Sequence, residues 1–282
     1  MAQTFKILRP LGAVAPPLTA FGIAVALFCP LTASAQVALG AAQNFAVLAG
    51  TTVTNVGATV VTGDVGVSPG AAIVGFPPGV VIGTLHAASA PAAQAQLALT
   101  TAYNTAAALP CGAPIVGDLG GQILTPGVYC APTSAGLTGA LTLDYQGNPN
   151  AVFVFQIGTT LTTAAGSSVV AINTGGNTCR GNVNWQVGTS ATLGTGSSFA
   201  GNILALVSIT LTTGAQLAGR ALASNGATTL DTNTITACTV AAPPSGSASS
   251  IPTLSEWALL LLSSMMAMSG WALMRRRSGG AA

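Results

Sequence analysis

A threonine-leucine quartet recurs through the second half of the chain and constrains the fold more than any other feature. The last three of its four copies start 18 and 19 residues apart. The copies are Thr160-Leu161-Thr162-Thr163, Thr192-Leu193-Gly194-Thr195, Thr210-Leu211-Thr212-Thr213 and Thr229-Leu230-Asp231-Thr232, and a related Thr59-Val60-Val61-Thr62 lies nearer the start. A fixed period of about 18 to 20 residues is typical of one coil of a solenoid.

Strand alternation predicts which side chains of each quartet face solvent. The leucine points into the core, whereas the first threonine and the third residue point outward. Stacked coils therefore predict a flat surface with Thr160, Thr192, Thr210 and Thr229 in a first rank, Thr162 and Thr212 beside them, and Thr163, Thr195, Thr213 and Thr232 at the strand ends. Gly194 and Asp231 interrupt the second rank. Because threonine also suits strands and corners, a purely structural role for these residues stays open.

Charged residues are scarce throughout the chain. Only 4% of its 282 residues are charged, against roughly 25% in ordinary soluble domains. A net charge of +2 cannot neutralise a track of phosphates, which excludes nucleic-acid binding. Half of the residues are hydrophobic, so the composition also excludes charged disorder.

One segment departs from the solenoid pattern and predicts a helix over residues 90–108. Its small and apolar residues recur three or four positions apart at Ala92, Ala95, Leu99, Ala102 and Ala106. Ser89 is suited to cap the helix, and Pro91 is tolerated in its first turn. The helix is about as long as six stacked coils, so it fits along the solenoid axis.

No group of residues indicates catalysis or metal binding. His86 is the only histidine, and neither a nucleophile motif nor a zinc motif is present. We therefore expect no enzyme activity, no catalytic residue, no cofactor and no metal. Asp64 and Asp118 occupy matching Gly-Asp-x-Gly segments, which predicts corner turns in which the carboxylates accept backbone N–H groups.

The remaining large or charged side chains have structural interpretations. Phe153 and Phe155 alternate along one strand, which favours a place in the core. Arg180 and Arg220 are isolated in the sequence.

The N-terminus has the layout of a secretory signal peptide over residues 1–35. Lys6 and Arg9 precede an apolar stretch from Leu11 to Phe28, and Ala33-Ser34-Ala35 is a small-x-small cleavage site. A transmembrane anchor is the alternative, but the prolines and glycine within the stretch favour the signal. The expected exported domain spans residues 36–240, followed by a Pro/Ser/Gly linker at 241–250.

The C-terminal segment, residues 251–282, resembles a sorting tail of the IPTL-CTERM type. The resemblance rests on Ile251-Pro252-Thr253-Leu254-Ser255-Glu256-Trp257, an apolar run to Met274 and Arg275-Arg276-Arg277. It implies export in a Gram-negative bacterium, an inner-membrane helix at 257–274 and processing by a sortase-like membrane protease. A permanent single-span anchor is the alternative. Either reading places the middle of the chain outside the cytoplasm.

Four cysteines remain once the signal peptide is removed. An even number in an exported chain favours disulfides. Three pairings of Cys111, Cys130, Cys179 and Cys238 exist, and we expect the sequential one, Cys111 with Cys130 and Cys179 with Cys238. The sequence itself does not choose between the three.

The exported middle of the chain resembles the ice-binding-protein-like family of the DUF3494 type, from about Ala38 to Ile235. The matching stretches are Asn44–Gly50, Thr62–Gly70, Gly75–Gly79, the helix beginning near His86, Asp118–Gly121, Leu124–Tyr129, Ala151–Gly158 and Asn184–Gly188. The resemblance implies a mainly all-β fold: a discontinuous right-handed β-helix of triangular cross-section with one long α-helix packed along its axis. It also implies adsorption to ice.

Two functions follow from these features. The first is an exported, monomeric ice-binding protein whose partner is the water lattice of ice. The alternative is a structural or adhesive protein of the cell surface or biofilm matrix that uses the same solenoid without ice activity. Adhesive surfaces are usually rich in tyrosine, tryptophan and arginine, and this chain has only three Tyr and three Trp, which favours ice.

Overall fold

The computed structural model describes residues 36–177 and 181–237. The expected signal peptide, linker and tail, together with Cys179, Arg180 and Cys238, lie outside the described residues. Within the described ranges, no helix is both long enough and apolar enough to cross a bilayer.

The described chain is built from short parallel strands and two helices. The helices are a 3-10 helix, Gly40–Asn44, and α1, Ala90–Ala108. In chain order the strands are β1 (Phe45–Ala49), β2 (Thr52–Val56), β3 (Val60–Thr62), β4 (Asp64–Val67), β5 (Ala72–Val74), β6 (Val80–Ile82), β7 (Leu85–Ala87), β8 (Ala113–Pro114), β9 (Ile123–Leu124), β10 (Gly127–Ala131), β11 (Ala135–Leu137), β12 (Ala140–Asp144), β13 (Phe153–Ile157), β14 (Leu161–Thr163), β15 (Ser168–Ile172), β16 (Val183–Val187), β17 (Ala191–Leu193), β18 (Ser198–Ala205), β19 (Ile209–Leu211), β20 (Gln216–Ala223), β21 (Thr228–Asp231) and β22 (Thr234–Thr236).

Each coil of the resulting solenoid contributes to three faces. The threonine face is the sheet β11-β14-β17-β19-β21-β2-β5. The helix face consists of β1, β4, β7, β8, β10, β13 and β16, together with the C-terminal halves of β18 and β20. The third face consists of β3, β6, β9, β12, β15 and β22, together with the N-terminal halves of β18 and β20. This arrangement confirms the predicted solenoid.

The order of the coils in space differs from their order in the chain. Strands β1, β2 and β3 pair with β20, β21 and β22, as in the partners Val47 and Ala221. The first coil of the chain therefore stacks on its last one. The solenoid is discontinuous, as the sequence resemblance implied.

Helix α1 packs across the helix face and covers several coils. It contacts strands from β7 and β4 at one end to β13 towards the other. Its buried residues are the predicted five, Ala92, Ala95, Leu99, Ala102 and Ala106. The Ser89 hydroxyl accepts the Ala92 N–H at the N-cap, as predicted. Mostly alanine on the inner side lets the helix approach the sheet closely.

Aromatic side chains form a stack inside the coils. Phe155 and Trp185 are register partners on adjacent strands, and their ring centroids lie 3.8 Å apart. Trp185 also packs against Phe199 and donates its indole N–H to the carbonyl of Ala200. Phe153 is fully buried as well, so the predicted core position of this strand is confirmed.

Two glycines turn the chain from the third face to the helix face. Gly201 in β18 and Gly219 in β20 are register partners, with φ of 109° and 156°. A Cβ atom on Gly219 would lie 1.9 Å from the carbonyl oxygen of Gly201. The corner therefore requires glycine because coil backbones meet there directly.

Arg220, which is isolated in the sequence, is not isolated in the fold. Its guanidinium is buried and donates to the carbonyl oxygen of Gln43 at 2.7 and 2.9 Å and to Oδ1 of Asn202 at 3.0 Å. Burial lowers the pKa of this group to about 10, so it stays charged at neutral pH. The contact ties the N-terminal segment to the last coil, where the first and last coils stack.

The described cysteines lie at the end of the solenoid remote from β7. Cys111 and Cys130 form a disulfide with a Cα–Cα distance of 5.9 Å. It links the segment after α1 to strand β10, and so fixes the chain where it leaves the helix and enters the coils.

Candidate functional site

The threonine face carries one unbroken rank of outward threonines. The cross-strand register places five of them side by side, and we call these five the central rank: Thr162, Thr192, Thr210, Thr229 and Thr54. Their side chains are exposed or half-buried. The residues on either side of each threonine point inward, such as Ile209 and Leu211, which are fully buried. The rank ends at Gly136 and Val74.

The first quartet is displaced by two residues from its expected place. Thr162, rather than Thr160, is the partner of Thr192. Thr160 immediately precedes β14 and lies in a flanking rank, level with Ser190. The expected first rank is therefore wrong at Thr160 and correct at Thr192, Thr210 and Thr229.

The prediction of Thr163 as a surface residue is also wrong. Its side chain is only 3% exposed, because position 163 belongs to the inward rank that continues as Leu193, Leu211 and Leu230. The Thr163 hydroxyl accepts the N–H of Gly194 at 2.9 Å. This threonine has a structural role inside the solenoid and cannot contact a ligand on the face.

The row of residues two positions after the central threonines, on the side of the third face, is irregular. Gly194 has no side chain, and Thr212 donates its hydroxyl to the carbonyl of Leu193 at 2.7 Å. Asp231 follows and is the register partner of Val56. The interruption predicted at Gly194 and Asp231 is thus present, and it borders the central rank without entering it.

The threonines at the strand ends surround this edge. Thr195, Thr213 and Thr232 are exposed in the turns. Thr213 and Thr232 both donate hydroxyls to the Asp231 carboxylate, and the Thr195 hydroxyl lies 3.3 Å from that of Thr212. These interactions hold the polar groups of the edge in place.

Sequence reasoning missed Thr54 and, in the flanking rank, Thr52. Both lie in β2, which extends the sheet beyond β21. The alternation Thr52-Val53-Thr54 is the signal that could have found them. The related quartet noted nearer the start does not contribute, because Thr59 is buried at a corner and Val60 and Thr62 lie on the third face.

The two other carboxylates singled out in the sequence serve corners: Asp64 lies away from this face, whereas Asp118 lies at its end, beside Gly136. Asp64 accepts the N–H of Thr84 at 2.8 Å and lies 3.6 Å from Nε2 of His86. Asp118 accepts the N–H groups of Gly120 and Thr138. Although desolvation opposes it, these bonds hold the pKa of Asp118 below its ordinary value. The predicted corner role is confirmed.

No metal-binding constellation exists in the described part of the chain, where no three His, Cys, Asp or Glu residues come together. The threonine register gives the face a rigid array of methyl and hydroxyl groups. Ladder neighbours in such a sheet lie about 4.7 to 4.9 Å apart, and outward residues along one strand about 6.6 to 6.8 Å apart.

Comparison with known proteins identifies relatives over most of the described chain. An ice-binding protein of Nostoc sp. (strain HG1) is 55% identical over 199 residues, which are 70% of this chain and 72% of the relative. The crystal structure of an ice-binding protein from an Antarctic biological consortium is 50% identical, with a TM-score of 0.69 over 71% of this chain and 90% of that one. The ice-binding protein of Antarctomyces psychrotrophicus is 42% identical, with a TM-score of 0.69 over 73% of this chain and 100% of that one.

Two family models match separate parts of the chain. The IPTL-CTERM motif covers residues 249–277 and indicates an exported or cell-surface protein. The ice-binding-like model covers residues 47–236, which contain the solenoid, helix α1 and the threonine face. With this match and relatives of such identity, the chain belongs to the ice-binding-like family.

Proposed function

We propose that this protein is an exported ice-binding protein that adsorbs to ice through its threonine face. The central rank of Thr162, Thr192, Thr210, Thr229 and Thr54 carries the proposal. The family assignment supports it, since the relatives compared above are ice-binding proteins.

The chemistry of the face suits an ordered water lattice. The threonine methyl group orders neighbouring water, and the hydroxyl both donates and accepts hydrogen bonds. The repeats of about 4.8 Å and 6.7 Å in the two directions of a flat sheet are close to oxygen repeats in ice. The strand pairing and the buried side chains beneath the central rank hold its threonines in place before the protein meets ice. Little conformational entropy is therefore lost on binding.

The near absence of charge also suits this role. Asp231 carries the only charge among the outward-facing residues of the described strands of the threonine face, and it lies beside the central rank. A second carboxylate, that of Asp118, lies at the end of the rank beside Gly136. Charged groups keep their own hydration shells and would compete with the lattice. The action proposed is adsorption, with no catalytic step and no cofactor.

The proposed cellular setting follows from the two ends of the sequence. Residues 1–35 would direct export and be removed. The tail beyond residue 250 would insert a helix at 257–274 into the inner membrane of a Gram-negative cell, with its arginines on the cytoplasmic side, and a sortase-like protease would process it.

Nanolitre osmometry on residues 36–250 tests the proposal. The unmodified protein should facet ice crystals and produce a gap between melting and freezing. Thr210→Tyr and Thr229→Tyr place a bulky ring in the central rank and should sharply reduce the gap. Thr234→Tyr is the matched control, because Thr234 is an exposed strand residue on the third face.

The outcomes separate the two functions considered from the sequence. Faceting that survives both central substitutions but is lost in the control would move the site to another face. Round, freely growing crystals at high concentration of a folded, unmodified protein would contradict ice binding and favour the structural role.

A further inference from the structure

A second rank of small side chains, most of them hydroxylated, runs beside the central rank on the side of the helix face. Its members lie two residues before the central threonines, and the strand register places them level with one another. All five are half-buried, and four of them carry a hydroxyl. We call these five the flanking rank: Thr160, Ser190, Ser208, Ala227 and Thr52.

Backbone hydrogen bonds orient the two serine hydroxyls of the flanking rank. The Oγ atom of Ser190 accepts the N–H of Ser208 at 3.3 Å, and the Oγ atom of Ser208 accepts the N–H of Ala227 at 3.2 Å. A hydroxyl group has one donor and two acceptor lone pairs. Because each serine oxygen serves the described part of the protein as an acceptor, its proton is available for a bond to water.

The row on the other side of the central rank uses its hydroxyl protons within the protein. Thr212 donates to the carbonyl of Leu193. Thr138, at the end of the same row, donates to the Asp118 carboxylate. Asp231 is itself a member of this row, so the carboxylates of Asp118 and Asp231 both lie on this side. The threonine face is therefore asymmetric, with charge towards the third face and available hydroxyl protons towards the helix face.

We propose that the flanking rank is the second row of the ice-contacting surface, so that this surface extends from the central rank towards the helix face. The proposal rests on the ice-binding function proposed above. It adds the side of the central rank on which ice is held. It also assigns direct contact with the lattice to Thr160, Ser190, Ser208 and Thr52.

The flanking rank gives the array of hydroxyl groups a second dimension. The central rank alone repeats only from coil to coil, at about 4.7 to 4.9 Å. Flanking and central residues of one strand are two positions apart, which adds a repeat of about 6.6 to 6.8 Å along the strand. A single row can align with rows of water molecules on many crystal planes. Two rows select the planes that contain both repeats.

Ala227 is the one gap in the flanking rank. It lies between Ser208 and Thr52, and its side chain ends at a half-buried methyl group. Ala227→Ser supplies the missing hydroxyl with the smallest possible change in volume. This substitution makes a strong test, because a gain of activity cannot result from damage to the fold.

Nanolitre osmometry on the same domain, residues 36–250, compares Ala227→Ser with the unmodified protein. We expect the concentration that produces a fixed gap between melting and freezing to fall by about twofold, the factor expected for one added hydrogen bond. Ala164→Ser is the matched control, because Ala164 is a half-buried alanine two residues after Thr162, on the opposite side of the central rank. The control should leave that concentration unchanged.

Removal of hydroxyls tests the flanking rank in the opposite direction. Thr160→Val and Thr52→Val keep the shape of the side chain and replace its hydroxyl with a methyl group. Each should raise the concentration needed for the same gap by about twofold. Circular dichroism spectra of both variants check that the fold is retained.

The outcomes distinguish the second row from the proposed function. If the unmodified domain facets ice and Thr210→Tyr sharply reduces the gap, but the three flanking substitutions leave it unchanged, the flanking rank is overturned and ice binding through the central rank stands. An equal gain from Ala164→Ser would place ice contacts on both sides of the central rank and overturn the proposed asymmetry. A folded, unmodified domain that does not shape ice would refute both proposals.

Discussion

Adjacent threonines on β14 should respond oppositely to the same substitution. Thr162 points outward in the central rank, whereas Thr163 points inward and accepts the N–H of Gly194 at 2.9 Å. Valine preserves the shape of threonine and replaces the hydroxyl with a methyl group. Thr162→Val should therefore change the activity on ice, and Thr163→Val should change the stability of the fold.

The size of the stability change follows from the surroundings of Thr163. Only 3% of this residue is exposed, so the loss of its hydroxyl leaves the Gly194 donor without its acceptor in a nearly dry setting. Leaving such a group unsatisfied costs about 1 to 3 kcal/mol. For a domain of this size, the melting temperature should fall by about 2 to 12 °C. Thr162→Val should stay within about 0.5 kcal/mol of the unmodified protein.

Calorimetry and urea denaturation of both variants measure these changes, and the same samples serve for osmometry. Because the substitutions are chemically identical and adjacent, each variant is the control for the other. The reasoning is refuted if Thr163→Val is as stable as the unmodified protein, or if Thr162→Val is the more damaging of the two.

Three further perturbations test the core, the corner and the carboxylates. Leu211→Ala removes a fully buried side chain between Leu193 and Leu230 and should cost about 2 to 5 kcal/mol in urea denaturation; a loss below 1 kcal/mol would contradict the inward rank. Gly219→Ala should prevent correct folding, seen as loss of the native circular dichroism spectrum, since its Cβ would clash with a neighbouring backbone; a normal spectrum would argue against that approach. The pKa of Asp118 is depressed in the fold, so its contribution is present above the unfolded value of about 3.9 and is lost as the pH falls through the folded pKa. Asp118→Asn should therefore flatten the fall in stability below about pH 4, and an unchanged pH profile would exclude this contribution.

The solenoid and its helix could be predicted because their signals are local. The 18- and 19-residue intervals between Thr192, Thr210 and Thr229 equal one complete coil, so sequence register and spatial register agree there. The helix over residues 90–108 follows from its spacing, cap and terminal proline, and the structure gives the same bounds.

The register at Thr160 could not be predicted because the coil between Thr162 and Thr192 is longer than the two coils that follow it. Thirty residues separate the partners Thr162 and Thr192. Aligning the two quartets by their sequences pairs Thr160 with Thr192 instead, which is wrong by two residues. Thr54 escaped notice for a different reason. Its neighbour Thr229 lies 175 residues away in the chain, and no local period connects the first coil with the last.

The burial of Arg220 illustrates a further limit of sequence reasoning. Its main acceptor is the backbone carbonyl of Gln43, and a carbonyl carries no signature in the sequence. Only the spatial meeting of the first and last coils creates that partner.

The stacking of the first coil on the last implies that the strand pairs do not depend on where the chain begins and ends. A circular permutant that joins the exit of β22 to the entry of β1, and opens the loop between α1 and β8, would keep the same strand pairs. In that permutant, partners such as Val47 and Ala221 would become near neighbours in the chain. The natural protein must hold these strands ready until the last residues have been made, and such distant pairing slows folding. Export of an unfolded chain, completed before folding, suits a protein whose final coil lies inside the stack, between two other coils.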